Sequence, residues 1–315
     1  VALFVFNRPE TTRRVFQTIA QYKPATLLIV ADGPRNAAEK ARCDETRRVI
    51  EAVDWDCRVL TNFSETNLGC RRRMSSGISW VFEQCEQAII LEDDCLPDLS
   101  FFRFCEEVLM HYNDDERVGL VSGFNCGVAG GDQVSYAFSS SVSVWGWAAW
   151  RRSWSRYDLT MKDWPRLRNT NWLTDVLGTD AFTPQWTNIF DRVHAGKVDT
   201  WDYQWVFCCF YQRMLSIVPA RNLIQNIGFD TDATHTTSAD NPLAQIRAVS
   251  MPFPLRHPAS VAPDLALQTR ILELQVGSTA PPPIPSLPVR AANKARRVFK
   301  AAAKSAGGRL RSDQS

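Results

Sequence analysis

The sequence predicts an α/β fold: a mostly parallel central sheet flanked by helices, in a single main domain. Two observations predict it. Short apolar runs of strand length alternate with amphipathic segments of helix length through about the first 120 residues, the order that builds parallel sheets. The run Ala88-Ile89-Ile90-Leu91 contains no polar residue, as a strand buried on both faces requires. With 45% apolar residues in 315, the chain has the material for one large core.

The elements follow in order. Residues 1–6 read as a buried strand, and Pro9 stands where a first helical turn tolerates it, with Val15, Phe16, Ile19 and Ala20 at helical spacing behind it. Thr26 to Ala31 is the second strand, ending in Asp32-Gly33-Pro34. A polar helix over 36–53 leads to a third strand from Cys57 to Leu60. The helix from Arg71 to Glu86 carries one apolar stripe, Met74, Ile78, Val81 and Phe82. After the strand 88–91, a helix over 98–112 has a broad apolar face of Phe101, Phe102, Phe104, Cys105, Val108 and Leu109. Val118 to Val121 is a further strand. The stretch from Ser135 to Trp154 is rich in Ser, Gly and Trp and shows no simple alternation, and Asp180 to Tyr211 reads as helical with aromatic clusters. The main domain is expected over 1–240, in two halves of about 1–125 and 126–240. An extended Pro-rich segment, 241–289, and a basic tail, 290–315, follow it.

Composition excludes several functions. A net charge of +2 gives no field for holding nucleic acid. Nine cysteines without a CxxC pair argue against a zinc site or a disulfide framework and for a reducing compartment. No signal-peptide pattern is visible, nor an apolar run of the ~18 residues that a spanning helix needs. A cytoplasmic chain is expected. Its tail carries eight Lys or Arg and no acid between 290 and 311, which permits peripheral contact with the inner membrane face and equally a solvated end.

In an open parallel sheet ligands bind outside the carboxyl ends of the strands. Here the first strand ends in Asn7-Arg8, the second in Asp32-Gly33 and the fourth in Glu92-Asp93-Asp94. Three successive carboxylates repel one another, and a divalent ion with oxygen ligands relieves the repulsion; a solvated turn or a helix-capping cluster is the plainer reading. In extended geometry Glu92 and Asp94 would point one way and Asp93 the other, dividing the set between metal and donor. Eleven Trp, concentrated between 145 and 205, suit sugar rings, although core packing is the commoner use of a tryptophan.

The segment Ile89-Ile90-Leu91-Glu92-Asp93-Asp94-Cys95-Leu96-Pro97-Asp98, followed by Phe101-Phe102, resembles the acidic metal motif of the Rossmann-like GT-A glycosyltransferases. Its EDD form is that of N-acetylglucosaminyltransferase I and its relatives. Val5-Phe6-Asn7-Arg8-Pro9 resembles the first strand and nucleotide-contacting turn of that group, and Val30-Ala31-Asp32-Gly33 the second strand end. Asn67-Leu68-Gly69 with Arg71-Arg72-Arg73 resembles its donor-side helix. Val121 to Asn125, Trp145-Gly146-Trp147 and Trp201-Asp202 fall in the order of its acceptor-side motifs. The likeness covers roughly residues 1–240, and bacterial family-2-type sugar transferases are the nearer comparison. It departs at Trp201-Asp202-Tyr203-Gln204-Trp205, where the resembled enzyme has two adjacent acids.

The resemblance implies inverting transfer from a nucleotide-diphosphate sugar, UDP favoured, to an acceptor hydroxyl, with Mn²⁺ or Mg²⁺. It implies Asp94 and His235 as metal ligands, and Asn7, Arg8, Asp32, Arg71, Arg72, Glu92 and Asp93 as donor contacts. It implies Trp145, Trp147 and Trp201 on the acceptor side and Asp202 as general base, with Asp199 as its rival; His194 is expected to be structural or solvent-facing. A sugar-phosphate nucleotidyltransferase is the alternative enzyme, but Asn7-Arg8-Pro9-Glu10 is not the glycine-rich loop that class uses. A carbohydrate-binding module is the non-catalytic alternative.

Overall fold

The computed structural model describes residues 1–128, 133–228 and 242–279. The chain divides into one compact unit, Val1–Ser278, and a second, Thr279–Ser315, of which Thr279 alone is described. The basic tail and His235 lie outside the described residues.

Strands β1 (Ala2–Val5), β2 (Thr26–Ala31), β3 (Arg58–Phe63) and β4 (Gln87–Glu92) are joined by helices α1 (Pro9–Tyr22), α2 (Ala37–Val49) and α3 (Gly69–Gln84). A short β5 (Cys95–Pro97) and helix α4 (Ser100–His111) lead to β6 (Val118–Ser122). Then come β7 (Tyr136–Ser139), β8 (Trp147–Trp150) and the helices α5 (Arg151–Trp154), α6 (Trp164–Leu167), α7 (Trp172–Leu177), α8 (Thr183–His194) and α9 (Asp202–Tyr211). β9 (Leu215–Pro219), β10 (Ile224–Asn226) and α10 (Leu265–Thr279) complete the described chain.

The main sheet runs β3-β2-β1-β4-β8-β6-β9-β7, and β10 pairs with β5 in a second, two-stranded sheet. The first four strands are parallel, as read from the sequence. Beyond β4 the sheet is mixed: β8 runs antiparallel to both β4 and β6, and β7 antiparallel to β9. With β6 parallel to β9, four of the seven pairings in this sheet are parallel, in keeping with the mostly parallel sheet expected. Chain order β3-β2-β1 reverses at β4, so the topological switch point, the place where open α/β sheets bind ligands, lies between β1 and β4.

Strand geometry turns successive side chains to opposite faces, and the two cores divide accordingly. Leu3, Val5, Leu27, Ile29, Ile89 and Leu91 pack with Val15, Phe16 and Ile19 of α1 and the Phe101–Leu109 face of α4. Ala2, Phe4, Leu28, Val30, Ala88 and Ile90 pack with Met74, Ile78, Val81 and Phe82 of α3 and with the aromatic residues of α8 and α9.

The segment after 241 differs from the extended chain expected there. Leu243, Met251, Leu255, Ile271 and Leu272 are buried. Helix α10 is docked through polar groups that a hydropathy pattern does not show. Gln268 accepts from Ser140 N at 3.0 Å and donates to the Leu177 carbonyl at 3.1 Å, and Gln275 donates to the Val142 carbonyl at 2.9 Å. The Pro281–Pro285 run lies outside the described residues.

Close packing behind the sheet edge makes a test of the fold. A Cβ added at Gly123 would stand 2.5 Å from Ile224, 2.6 Å from Phe101 and 2.7 Å from the Gly146 carbonyl oxygen. That carbonyl accepts from Gly123 N at 2.8 Å and cannot retreat without losing the bond. Gly123→Ala should cost about 1–3 kcal/mol in urea unfolding, the usual range for overpacking. A variant as stable as the parent would contradict this packing.

Candidate functional site

The carboxyl ends of β1 and β4 hold the acids and the arginine together. β4 ends at Glu92, paired in register with Phe4 of β1. The chain then turns at Asp93 and Asp94 into β5, so the three carboxylates do not alternate as an extended strand would make them. Asp93 Oδ2 accepts from Phe6 N at 3.1 Å. Arg8, whose carbonyl accepts from Thr12 N in the first turn of α1, reaches back to Asp94 Oδ2 at 2.9 Å and to Asp93 Oδ1 at 3.8 Å. The side chains of Arg8 and Asp93 are 11% exposed and that of Asp94 20%, so water screens these pairs weakly. Burial, with Asp94, Asp93 and Asp202 adding like charge, pushes the Glu92 carboxyl well above the usual carboxylate range, and Arg8 opposes the shift.

Asp32 is in a different situation. It is buried at the end of β2, and its Oδ1 accepts from Gly33 N and Leu68 N, both at 2.9 Å; its Oδ2 accepts from Gly69 N and Asn67 Nδ2, both at 3.1 Å. Four donors use the in-plane capacity of a carboxylate. Asp32 thus holds the loop before α3 and the start of that helix, a task the residue type alone did not reveal. Asn7 is half-buried with Nδ2 3.5 Å from Glu39 Oε1. Arg71 donates to the Leu159 carbonyl at 2.9 Å, Arg72 is exposed, and the buried Arg73 donates to Asn62 Oδ1 at 2.9 Å beneath the sheet edge.

Asp202 is the first residue of α9. Its Oδ1 accepts from the Thr200 hydroxyl and from Tyr203 N, and its Oδ2 takes no hydrogen bond from the described residues. Asp199 lies at the start of α3 instead, exposed, with Oδ1 3.3 Å from Arg71 N and Oδ2 close to Gly69. Cys70 marks where these acids converge. Burial raises its thiol first, and the charges of Glu92, Asp202, Asp199 and Asp32 raise it further. The sequence offered no signal for Cys70, because the acids around it come from three separate segments.

Two of the three tryptophans expected on the acceptor side are core residues. Trp147 is 1% exposed and Trp201 3%, and they pack on each other at 5.8 Å between ring centroids. Trp154 and Trp205 complete the cluster, at 6.3 and 5.9 Å from Trp147. Rings enclosed this way offer no face to a sugar, so Trp147 and Trp201 are corrected to a packing role. Trp145 differs: it is half-buried and tilted against Phe124 at 4.6 Å. His194, at the exposed end of α8, is remote from this account.

Among the described residues, no group of three His, Cys, Asp or Glu side chains is arranged to hold a metal ion. A magnesium-type site needs fewer protein ligands, one or two carboxylates completed by substrate phosphates. Two features of Asp94 fit that requirement. The Arg8 guanidinium already stands on Oδ2 as a cation. Gly228 packs against Oδ2 without a side chain, where an added Cβ would fall 2.2 Å from that oxygen and displace the carboxylate. Gly228 is brought there because β10 pairs with β5 and Ile227 N donates to the Asp94 carbonyl at 2.8 Å, a long-range contact with no local sequence signal.

No protein-family model and no curated protein matches the chain. Solved structures similar to it include 4-diphosphocytidyl-2C-methyl-D-erythritol synthase from Anaerococcus prevotii, at 9% identity over 57% of this chain and 82% of that one, TM-score 0.31. The galactosyltransferase LgtC with donor and acceptor sugar analogs matches at 12% identity over 53% of this chain and 64% of that one, TM-score 0.30. An active-site mutant of LgtC matches at 13% identity over 90% of this chain and 98% of that one, TM-score 0.34. At such values the likeness carries neither a family nor an activity to this chain.

The tryptophan assignment is open to a direct check. Trp147→Ala should lose about 3–5 kcal/mol in urea unfolding, the cost of emptying a buried aromatic site, while Trp145→Ala loses clearly less. Equal losses would return Trp147 to the surface.

Proposed function

We propose that this chain is an inverting GT-A glycosyltransferase that moves a sugar from a nucleotide-diphosphate sugar, UDP favoured, to an acceptor hydroxyl with the help of Mn²⁺ or Mg²⁺. One observation carries the reading. Asp202, on another element and with an Oδ2 that takes no hydrogen bond from the described residues, is one of the charges that raise the Glu92 carboxyl at the end of β4. Single displacement needs that arrangement, with a base on the acceptor side and cationic groups at the leaving diphosphate.

Asp94 would hold the divalent ion, which supplies charge neutralisation at the diphosphate. Arg8 adds a planar donor pair suited to phosphate oxygens, and Arg71 and Arg72 stand at the start of α3. Asn7 and the loop fixed by Asp32 border the nucleoside end. Thr200 and Tyr203 N hold Asp202 Oδ1, leaving Oδ2 to take the acceptor proton. The freed oxygen then bonds to the anomeric carbon, the carbon–oxygen bond to the diphosphate breaks, and its electron pair leaves on the phosphate oxygen. Trp145 is the partly open aromatic residue on the acceptor side. Tail contact with a membrane and a role for His235 stay as proposals from the sequence.

Incubation with nucleotide sugars and Mn²⁺ should release a nucleoside diphosphate. Release of pyrophosphate from a nucleoside triphosphate and a sugar phosphate would instead establish the nucleotidyltransferase, and neither product would leave a binding module. Asp94→Ala, or excess chelator on the parent protein, should abolish turnover with the fold retained. Asp202→Asn should lower kcat by about 10²–10⁴-fold, the usual contribution of a general base, with nucleotide and Mn²⁺ affinity close to the parent. An Asp202→Asn protein within tenfold of the parent, beside an inactive Asp199→Asn, would move the role to Asp199.

A further inference from the structure

We infer that Arg8 is a latch on Asp94: without donor, its guanidinium occupies the carboxylate oxygen that a divalent ion would use, and the donor's diphosphate draws it away. The inference rests on the donor and metal reading above and concerns the order in which that site fills.

The backbone of Arg8 cannot move freely. Its carbonyl accepts from Thr12 N at 3.0 Å and from the Thr12 hydroxyl at 2.7 Å, and Pro9 opens α1 immediately after it. The side chain can swing, and at rest it lies 2.9 Å from Asp94 Oδ2 and 3.8 Å from Asp93 Oδ1. A guanidinium and a divalent ion on one carboxylate repel each other. An ion arriving alone must therefore push a nearly buried arginine off its partner, leaving that charge with less compensation. A diphosphate changes this balance, because its oxygens accept the same two-pronged hydrogen bonds that a carboxylate does. Arg8 then exchanges one anionic partner for another, and Asp94 Oδ2 is released.

Binding in such a site is coupled in both directions by one factor. Some coupling arises whenever an ion bridges phosphates, so coupling alone does not identify a latch. The sign of the effect of removing Arg8 does. An arginine that adds positive charge for the donor from a position clear of Asp94 changes metal affinity in the donor-free protein little when it is removed. A latch, when removed, makes metal binding tighter.

Mn²⁺ binding to the full chain, followed by electron paramagnetic resonance of the free ion, tests this without any turnover. The parent should bind Mn²⁺ weakly alone and more tightly with UDP. Inorganic pyrophosphate, which lacks base and ribose, should produce the same tightening. Arg8→Met should bind Mn²⁺ alone about tenfold or more tighter than the parent, the scale of one charge-assisted hydrogen bond, and UDP should add less to it. Arg8→Lys, keeping a cation at the position, should stay near the parent. Mn²⁺ affinity in Arg8→Met equal to or below the parent's, with UDP still tightening both, would overturn the latch and leave the donor site standing. If Arg8→Met does not fold, failure of pyrophosphate to tighten Mn²⁺ in the parent overturns it as well. No Mn²⁺ binding by the parent even with UDP, or binding indifferent to Asp94→Asn, would remove the metal reading and the latch with it.

Discussion

The carboxyl edge of this sheet depends on how three successive carboxylates are kept side by side at the end of a buried strand. Two like charges about 4 Å apart cost on the order of 4 kcal/mol at an effective dielectric near 20, so the cluster needs compensation. It comes from Arg8 on Asp93 and Asp94, and from the Phe6 N–H on Asp93. Both groups lie just beyond β1, and they reach the acids only because β1 and β4 are parallel neighbours. The second sheet adds to this. The β5–β10 pairing fixes the turn after Asp94 and places Gly228 against its carboxylate. A sheet in which β1 and β4 were not adjacent would leave the cluster without its cation.

At α9 the controlling element is apolar. Asp202 begins α9, and the residues around it are held by the aromatic core. The Trp201 carbonyl accepts from the Tyr157 hydroxyl at 3.0 Å, and the Tyr157 ring stacks on Trp154 at 4.2 Å. Trp205, one turn along α9, is enclosed by Trp147 and Trp154. Trp147, Trp154, Trp201 and Trp205 therefore fix the position of the helix start.

Much of the first half was legible in the sequence because its strands are unbroken apolar runs and its helices carry clean stripes. The second half was not. β8 is Trp147-Ala148-Ala149-Trp150, and Trp145 and Trp147, two residues apart, would share a face in a regular strand. Gly146, at φ +60°, breaks the alternation, so one ring is half-buried and the other enclosed. Helix α10 escaped because glutamines fix its position and polar docking leaves no periodic apolar signal. The strand-end residues Arg8, Asp93 and Asp94, singled out in the sequence, are the ones the structure brings together. The sequence did not disclose that Asp32 is fully used by four donors or that Gly228 approaches Asp94, since both facts depend on segments far apart in the chain.

The protonation of Glu92 connects the strand end with α9. Burial and the neighbouring acids hold it toward its neutral form, and Asp202 on the far element is one of the charges responsible. Among the described residues, Asp93 and Asp94 face the charge of Arg8 at this strand end, and ionisation of Glu92 would add a further negative charge in a place where burial already disfavours charge. An added cation at this edge would lower the cost of ionising Glu92, while withdrawal of Arg8 from Asp94 would raise it. The arginine and Glu92 are thus linked through the same potential, and movement of one cation at the mouth of β1 alters the electrostatic surroundings of Asp202 without any contact between them.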